Sequence, residues 1–368
     1  MSTKRVVVGL SGGVDSAVSA HLLKEAGWDV TGIFMKNWED DSEQCTSEED
    51  AREARSVAHT LNIPFYAFNF VKEYWDKVFR HFLDEYGKGY TPNPDILCNK
   101  EIKFKCFLEK ALELDVNFIA TGHYAQVREV DGLFEMIKGV DPIKDQTYFL
   151  YTLGQKALSK TLFPLGHLCK AEVRHIAKKA GLPNWDRKDS TGICFIGERK
   201  FKDFLQSYLG NKPGEIVDPS GKVVGHHDGL MYHTIGQRQG LGIGGAGDPW
   251  FVISKDTSTN RLMAGQGTNN PLLFAPGLSC FELSTTSGKP LELPLRCSAK
   301  IRYRQADQAC TIVGSREDML FVRFDEPQRA ISPKQAIVFY DGDICLGGAT
   351  IAEAVTNEVL AEFSSVSI

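Results

Sequence analysis

The chain has 368 residues and a net charge of -5, so it is long enough for two or three domains at roughly 150 residues each. Hydrophobic residues make up 42% of it and charged residues 24%, which excludes a disordered or fibrous protein. The acidic balance also excludes a globally basic nucleic-acid coat, although it is compatible with a local basic patch.

The early apolar run from Val6 to Leu10 ends at Ser11. It is too short for a membrane span, which needs about 20 residues, or for a signal-peptide core. We therefore expect a cytoplasmic protein with no membrane contact. The nine cysteines form no C-x-x-C pair, so reduced thiols are expected and no zinc or iron–sulfur centre is predicted.

The first 209 residues alternate apolar runs with helical patterns, which is typical of a parallel α/β sheet. Strands are predicted at 4–10, 30–35, 64–70 and 118–121, and helices at 16–26, 46–61, 74–86, 170–180 and 199–209. Thr46 and Glu49 have the spacing of a capping box. The stretch from Gly87 to Cys98 is rich in Gly and Pro, which predicts a loop.

The pattern changes after Gly210. Eleven glycines fall within residues 210–247, which predicts turns between short strands in a small β-rich domain. Alternating residues at 300–304, 319–324 and 335–340 predict a C-terminal antiparallel β-barrel. The predicted domains are therefore residues 1–209, 210–285 and 286–368.

The strongest motif is Ser11-Gly-Gly-Val-Asp-Ser16, which follows the first predicted strand and opens the first helix. The glycines let backbone N–H groups approach a phosphate, while the helix N-terminus and two serine hydroxyls add to the attraction. Asp15 can hold a Mg²⁺ ion that bridges phosphates. The spacing differs from the common P-loop and dinucleotide motifs. A plain Gly-rich turn with a serine cap is the alternative.

This string resembles the SGGxDS loop of the ATP-pyrophosphatase (PP-loop) superfamily, whose members adenylate a substrate with ATP and release pyrophosphate. Further motifs, in the same order along the chain, resemble those of the tRNA-specific 2-thiouridylase family. They are Thr91-Pro-Asn-Pro-Asp-Ile-Leu-Cys98, Thr121-Gly-His-Tyr124, Lys144-Asp-Gln-Thr-Tyr148 and Ser190-Thr-Gly-Ile-Cys-Phe-Ile-Gly197. The likeness continues through Tyr232 to Gly240 and Arg302 to Arg304, so it covers essentially the whole chain.

The resemblance implies ATP-dependent thiolation of the wobble uridine in the tRNAs for Lys, Glu and Gln, with sulfur delivered by an upstream persulfide relay protein. Such chemistry needs an activated C2 oxygen and a sulfur nucleophile, which a cysteine persulfide supplies. Cys98 and Cys194 lie in predicted polar loops, where a thiolate can be exposed. The resemblance implies that Cys194 carries the persulfide, that Cys98 attacks it to leave a disulfide, and that Asp95 is the general acid/base.

The resemblance also assigns ligand contacts. ATP contacts fall on Gly9, Leu10, Ser11, Gly12, Gly13, Val14, Asp15, Ser16, Met35 and Gly122. Contacts with the tRNA, including its flipped wobble base, fall on Asn93, Pro94, Asp95, His123, Lys144, Asp145, Gln146, Arg302, Tyr303 and Gln335. Lys300, Arg302 and Arg304 are expected to share one strand face, where three positive charges suit phosphates. A solvated edge strand is the alternative there, and plain core packing is the alternative for Met35.

Two other functions remain open from the sequence. One is a PP-loop ligase that acts on a small molecule, such as an argininosuccinate-type synthetase, and the other is a noncatalytic RNA-binding protein that keeps a nucleotide loop. The ligase would need neither two loop cysteines nor a basic barrel. Cys45 is expected to be exposed and inert within an acidic stretch. Six cysteines are expected to be small buried apolar residues, namely Cys106, Cys169, Cys280, Cys297, Cys310 and Cys345.

Overall fold

The computed structural model of the chain describes residues 4–39, 47–189 and 201–363. Its strands are β1 (Arg5–Gly9), β2 (Asp29–Lys36), β3 (Phe65–Asn69), β4 (Phe118–Ala120), β5 (Ala125–Val130), β6 (Leu133–Lys138), β7 (Thr161–Leu162), β8 (Gly214–Val217), β9 (Val223–His227), β10 (Trp250–Asp256), β11 (Arg261–Gln266), β12 (Phe274–Thr285), β13 (Leu295–Lys300), β14 (Gln308–Arg316), β15 (Met319–Arg329), β16 (Ala336–Asp341) and β17 (Ile344–Val355).

The α-helices of the described ranges are α1 (Val14–Glu25), α2 (Ser47–Thr60), α3 (Val71–Tyr74), α4 (Arg80–Gly87), α5 (Pro94–Cys98), α6 (Phe107–Leu112), α7 (Gln155–Leu158), α8 (Lys170–Lys179), α9 (Phe201–Leu209) and α10 (Asn357–Ala361). Two π-helical segments, Trp75–Phe79 and Asn99–Cys106, join α3 to α4 and α5 to α6. Within the described ranges, no helix has both the length and the apolar character of a membrane span.

The N-terminal domain is a parallel sheet with the strand order β3-β2-β1-β4-β7. Val7 of β1 points into an apolar core shared with helices α3 to α6, while Val6 and Val8 point into a second core shared with α1, α2 and α8. A strand that is buried on both faces reads as a continuous apolar run. The predicted parallel α/β sheet and its first four strands are therefore confirmed.

The predicted loop from Gly87 to Cys98 is wrong in its second half, because helix α5 begins at Pro94. Proline suits the first position of a helix, where no backbone N–H is needed. The side chain of Asn93 caps this helix by accepting a hydrogen bond from the Asp95 backbone N–H at 2.9 Å. Cys98 therefore ends a helical turn and does not lie in a loop.

The central domain is a four-stranded sheet with the order β10-β11-β8-β9. The β11–β8 pair is parallel and the other two pairs are antiparallel. Short strands joined by glycine-containing turns were predicted in this region, and β8 and β9 confirm them. Gly221, in the turn between these two strands, has φ +87°, a left-handed conformation that favours glycine.

The C-terminal domain is a closed six-stranded antiparallel barrel, because β12 pairs with both β15 and β17. The barrel thus begins at Phe274, before the boundary predicted at residue 286. The strand predicted at 300–304 is also wrong, because β13 ends at Lys300. The hairpin β5–β6, which was not predicted, leaves the N-terminal domain and adds to the barrel through the pairing of Met136 with Cys345.

Candidate active site

The segment between β1 and α1 is folded on to the N-terminus of α1 by its own serines. The Ser16 hydroxyl donates to the Gly13 carbonyl at 3.0 Å and accepts from the Ser11 backbone N–H at 3.1 Å. Gly12 has φ +81°, and a Cβ atom there would lie 2.7 Å from the Asp50 carbonyl oxygen. Both facts require glycine at this position, so the loop can present backbone N–H groups to an anion without an intervening side chain.

Two polar side chains fix the outer part of this loop. The Asn184 side-chain amide donates to the Gly12 carbonyl at 2.8 Å, and the Arg187 guanidinium donates to the same oxygen at 3.0 Å. Arg187 also forms an ion pair with Asp50 at 2.6 Å. Neither Asn184 nor Arg187 was predicted, because both lie more than 170 positions from Gly12 in the sequence.

The carboxyl ends of β1, β2 and β4 meet beside the loop, where ligands of parallel sheets bind. A Cβ atom on Gly122, just after β4, would lie 2.7 Å from the Ser16 backbone nitrogen. The Met35 side chain reaches to 3.0 Å from the corresponding position on Gly9. The structure thus brings Gly9, Met35 and Gly122 together around the loop, while Leu10 and Val14 are buried and can offer a ligand only their backbone.

A group of charged side chains lies over the start of α1. The Asp15 carboxylate accepts hydrogen bonds from the Tyr124 hydroxyl at 2.8 Å and from the Lys170 ammonium at 2.7 and 2.8 Å. Lys170 also lies 2.8 Å from Asp189. Of this group, only Asp15 was predicted as a site residue. Lys170 and Arg174 could have been noticed as cations four residues apart at the start of a predicted helix.

Asp189 is the second carboxylate of this group and binds three cations. Besides Lys170, it accepts from Lys144 at 2.6 Å and from Arg174 at 2.7 Å. Burial raises the pKa of Asp189, but the hydrogen bonds from Lys144 and Lys170 outweigh burial and lower the pKa to about 2. The carboxylate therefore remains charged throughout the physiological pH range.

The donors at this position fit a magnesium ion. Asp15 and Ser16 offer carboxylate and hydroxyl oxygens, the hard ligands that Mg²⁺ prefers. Both Asp15 oxygens lie within hydrogen-bond distance of the Lys170 ammonium. A metal ion held by Asp15 would therefore have to share this carboxylate with Lys170 or replace it.

Asp95 and Cys98 both lie on α5, and Cys98 is the more deeply buried of the two. Burial raises the pKa of Asp95, and the positive charge of Lys103 partly offsets this shift. Cys98 is 1% exposed and belongs to the apolar core of the domain, so the expectation of an exposed loop thiol is wrong. The reason is the helix that starts at Pro94, which turns the thiol inward. Cys194, Cys45 and Thr46 lie outside the described residues.

The His123 ring packs between two aromatic side chains. Its Nδ1 lies 2.8 Å from the Thr121 hydroxyl, and its ring centroid lies 5.7 Å from that of Phe104 and 6.2 Å from that of Phe163. Burial lowers the pKa of His123 well below its usual value, and the charge of Lys103 adds to this effect. A contact between His123 and RNA would thus be a stacking or hydrogen-bonding contact without a charge.

The predicted tRNA-binding loop of Lys144, Asp145 and Gln146 adjoins the nucleotide loop. Lys144 pairs with Asp189, as described above, and the Gln146 side chain accepts from the Tyr124 backbone N–H at 3.0 Å. Asp145 is buried and accepts from the Thr147 hydroxyl at 2.9 Å. All three side chains therefore bind within the protein in this state.

Lys300, Arg302 and Arg304 do not share one exposed strand face, so this prediction is wrong. Lys300 is buried, with its ammonium 3.6 Å from Asp145, and the Arg302 guanidinium donates to the Ala330 carbonyl at 2.8 Å. Burial lowers the pKa of Arg302. The chain turns after β13, so Arg304 alone of the three is exposed. The Tyr303 ring lies 4.3 Å from the ring of Phe149, next to the predicted tRNA-binding loop.

The six cysteines that were predicted to be buried differ among themselves. The prediction is confirmed for Cys280, Cys310 and Cys345. It is wrong for Cys169, which is exposed just before α8, and Cys106 and Cys297 are only half-buried. The Cys297 and Cys310 sulfurs lie 3.7 Å apart on neighbouring strands.

A parallel sheet with a phosphate-binding loop after its first strand, joined to a central β domain and a barrel, defines a multidomain nucleotide-binding protein. The chain matches three family models, described as the tRNA methyl transferase HUP domain at residues 4–198, the tRNA methyl transferase PRC-barrel domain at 202–266, and the aminomethyltransferase beta-barrel domain at 277–351.

Curated relatives match over nearly the whole chain. The tRNA-specific 2-thiouridylase MnmA of Halalkalibacterium halodurans is 58% identical over 349 residues, which is 94% of each chain. The protein of the same name from Francisella tularensis is 56% identical and covers 95% of this chain and 100% of the relative. The chain therefore belongs to the tRNA-specific 2-thiouridylase family. Among solved structures, the U34-tRNA thiolase NcsA of Methanococcus maripaludis covers 55% of this chain and 63% of its own, at 20% identity and a TM-score of 0.36.

Proposed function

We propose that this chain catalyses ATP-dependent 2-thiolation of the wobble uridine in the tRNAs for Lys, Glu and Gln, with AMP and pyrophosphate as products. The observation that carries the proposal is the glycine-containing nucleotide loop between β1 and α1, residues 11–16. The same domain contains helix α5, which carries the acid Asp95 and the thiol Cys98. Family membership supports the substrate class, because the relatives named above are tRNA 2-thiouridylases.

The first step is adenylation of the base. The uridine C2 oxygen attacks the α-phosphorus of ATP, and pyrophosphate leaves. The loop N–H groups and the positive end of α1 stabilise the negative charge of the leaving pyrophosphate. Mg²⁺, when held by Asp15, supplies further charge neutralisation to the phosphates.

Asp95 is the proposed proton acceptor during this step. As the C2 oxygen bonds to phosphorus, the N3 proton of the uridine becomes acidic and must be removed. Burial raises the pKa of Asp95, which makes its carboxylate a stronger base than an exposed aspartate. Its position on α5, where Asn93 caps the helix, fixes the carboxylate relative to the chain.

Sulfur transfer follows adenylation. The terminal sulfur of a Cys194 persulfide, loaded by an upstream relay protein in the cytoplasm, bonds to C2, and AMP leaves. The Cys98 thiolate then attacks the Cys194 Sγ, the S–S bond to the base breaks, and 2-thiouridine and a Cys98–Cys194 disulfide result. Because Cys98 is buried in this state, its thiol must leave the core position before this attack.

The direct test is nucleoside mass spectrometry of tRNA from cells with and without the gene, followed by reconstitution with purified protein, ATP, a sulfur donor and unmodified tRNA. Loss of 2-thiouridine derivatives and their return on reconstitution are expected. The double variant Cys98→Ser/Cys194→Ser separates the alternatives. A small-molecule ligase keeps its turnover in this variant, whereas a noncatalytic RNA-binding protein has no turnover to lose.

A further inference from the structure

Lys170 bridges two carboxylates directly over the nucleotide loop. Its ammonium lies 2.7 and 2.8 Å from the two Asp15 oxygens and 2.8 Å from Asp189. The Lys170 side chain is only 13% exposed, and the Tyr124 hydroxyl holds Asp15 in place from another side. A lysine that is buried to this extent is normally paired with an acidic group. The ammonium group of Lys170 lies next to the nucleotide loop.

Three cations and three carboxylates meet at this position. Lys144, Lys170 and Arg174 surround Asp15 and Asp189, and a third carboxylate, Asp141, accepts a hydrogen bond from the Lys170 backbone N–H at 3.0 Å. Lys170 and Arg174 are four residues apart on α8 and share one side of that helix. A lysine ammonium next to the N-terminus of α1 suits a phosphate better than it suits an uncharged ligand.

We propose that Lys170 is a phosphate-binding residue of the ATP site, and that Asp189 is a positioning residue that holds Lys170 over the loop. The inference rests on the proposed ATP-dependent function and adds two residues to it. A phosphate oxygen competes with Asp15 for the Lys170 ammonium, so ATP draws Lys170 from Asp15 and leaves the carboxylate available to a cation. Asp189 keeps its bonds to Lys144 and Arg174 during this exchange, and therefore remains in place.

The test compares the affinities of the purified full-length protein for ATP and for adenosine, measured by calorimetry. In Lys170→Met, the affinity for ATP should fall by about 10- to 100-fold, the range expected for loss of a charge-assisted hydrogen bond, while adenosine affinity stays unchanged. Lys170→Arg should restore part of the ATP affinity, because the charge returns. Lys179→Met, an exposed lysine on the same helix, is the matched control and should behave as the wild type.

Asp189→Asn tests the positioning role. It should raise KM for ATP more than it lowers kcat, and Lys170 should still give the protein a preference for ATP over adenosine. If folded Lys170→Met keeps the wild-type ratio of ATP to adenosine affinity, Lys170 only stabilises the fold through its ion pairs, and the inference is wrong. Lys170→Gln replaces Lys170→Met if the latter does not fold. Failure of the wild type to bind ATP would instead contradict the proposed function.

A second inference rests on the barrel. Cys297 and Cys310 are direct partners on the antiparallel strands β13 and β14, with their sulfurs 3.7 Å apart. Opposed residues on such strands have Cα atoms about 4.5–5.5 Å apart, within the range that a disulfide spans. Cys297 is half-buried. A hydrogen bond from Cys310 lowers the pKa of Cys297 against the effect of burial, and the charge of Arg296 adds to this lowering.

We infer that Cys297 and Cys310 form a reversible disulfide with a low-molecular-weight disulfide as oxidant. The Cys297 thiolate attacks the oxidant and releases one thiol, and Cys310 then attacks the mixed disulfide and releases the second. Two protein thiols thus become one disulfide as the oxidant becomes two thiols. The bond would close the hairpin that carries Arg302 and Tyr303.

Treatment with oxidised glutathione, alkylation and peptide mapping test this inference. A cross-linked peptide pair that contains Cys297 and Cys310 is expected, with a loss of two hydrogens that a reductant reverses. Cys280 and Cys345 are the controls and should stay reduced, because neither is paired with a cysteine on its neighbouring strands. A glutathione adduct that persists on Cys297, or two thiols that stay alkylatable, would overturn the inference. The mapping also separates this bond from any disulfide at Cys98.

Discussion

The side-chain amide of Gln335 in the barrel donates a hydrogen bond to the carbonyl of Thr91 in the N-terminal domain. Thr91 lies two residues before Asn93, the cap of helix α5. From the central domain, the Lys255 amine donates to the Gly89 carbonyl of the same loop at 2.7 Å. All three domains therefore hold the loop that leads into the acid and thiol of α5.

Gln335→Ala should lower kcat for tRNA thiolation by about 2- to 10-fold, since one net hydrogen bond is worth about 0.5–1.5 kcal/mol. ATP affinity should not change, because Gln335 does not touch the nucleotide loop. Single-turnover thiolation and ATP calorimetry measure the two quantities. Gln206→Ala removes a glutamine whose side chain bonds to Asn211 at the surface, and it is the matched control. A Gln335→Ala enzyme with wild-type kcat would show that the contact does not position α5.

Gly122→Ala should weaken ATP binding by more than about tenfold. The new Cβ atom would lie 2.7 Å from the Ser16 nitrogen and 2.8 Å from the Asp15 carbonyl carbon, so the start of α1 must move. Gly154→Ala is a suitable control, because its Cβ atom meets nothing within 4 Å. Equal ATP affinities in the two variants would mean that nucleotide does not contact the start of α1.

Lys255 should make the free energy of unfolding depend on pH. Burial lowers the pKa of Lys255 to about 7 from its usual 10.5. Between these values the unfolded chain binds the extra proton, so stability rises with pH by at most about 1.4 kcal/mol per unit. In Lys255→Met this part of the slope should disappear, whereas the exposed Lys222→Met should keep it. Urea unfolding at pH 7, 8 and 9 gives the slopes, and equal slopes in all proteins would contradict the assignment.

Short-range sequence patterns predicted the parallel sheet and the glycine-containing loop after β1 correctly. The valines of β1 and the Gly12 turn carry that information within a few residues. Two kinds of feature could not be predicted from the sequence. Pro94 is compatible with a loop or with the first turn of a helix, and only the Asn93 cap and tertiary packing decide between them. The ion pair of Asp15 with Lys170 joins residues 155 positions apart, so no sequence window contains it.

The barrel shows the same limit. Alternation in the sequence predicted a shared strand face for Lys300, Arg302 and Arg304, but the chain leaves β13 at Lys300. The buried carboxylate of Asp145, which comes from the other domain, draws Lys300 inward. Periodicity describes one strand and contains no information about a partner from another domain.

Arg304 is exposed and Lys300 is buried, so we expect their removal to affect tRNA binding and protein stability, respectively. Arg304→Ala should reduce the log–log slope of tRNA affinity against salt by about one, because an exposed phosphate contact is lost. Lys300→Ala should leave the slope unchanged and instead destabilise the fold by about 1–3 kcal/mol, since Asp145 loses a buried cation. Filter binding at several salt concentrations and thermal unfolding report the two effects. An unchanged slope in Arg304→Ala would make this turn a solvated surface.

The last prediction concerns the two thiols, whose proposed roles are unequal although both are required. Cys194→Ser should prevent a persulfide from accumulating on the protein, because the sulfur carrier is gone. Cys98→Ser should still accept sulfur on Cys194 and yet fail to complete transfer, because nothing breaks the S–S bond to the base. Both variants should bind ATP and tRNA as the wild type does.

Loading with a sulfur donor, trapping with an alkylating reagent and peptide mapping locate the persulfide directly. Cys280→Ser is the control, because this buried thiol of the barrel has no part in the proposed transfer and its loss should leave the persulfide on Cys194. A persulfide on Cys98 and not on Cys194 would reverse the two roles. A protein that thiolates tRNA with a persulfide on neither residue would exclude the cysteine relay altogether.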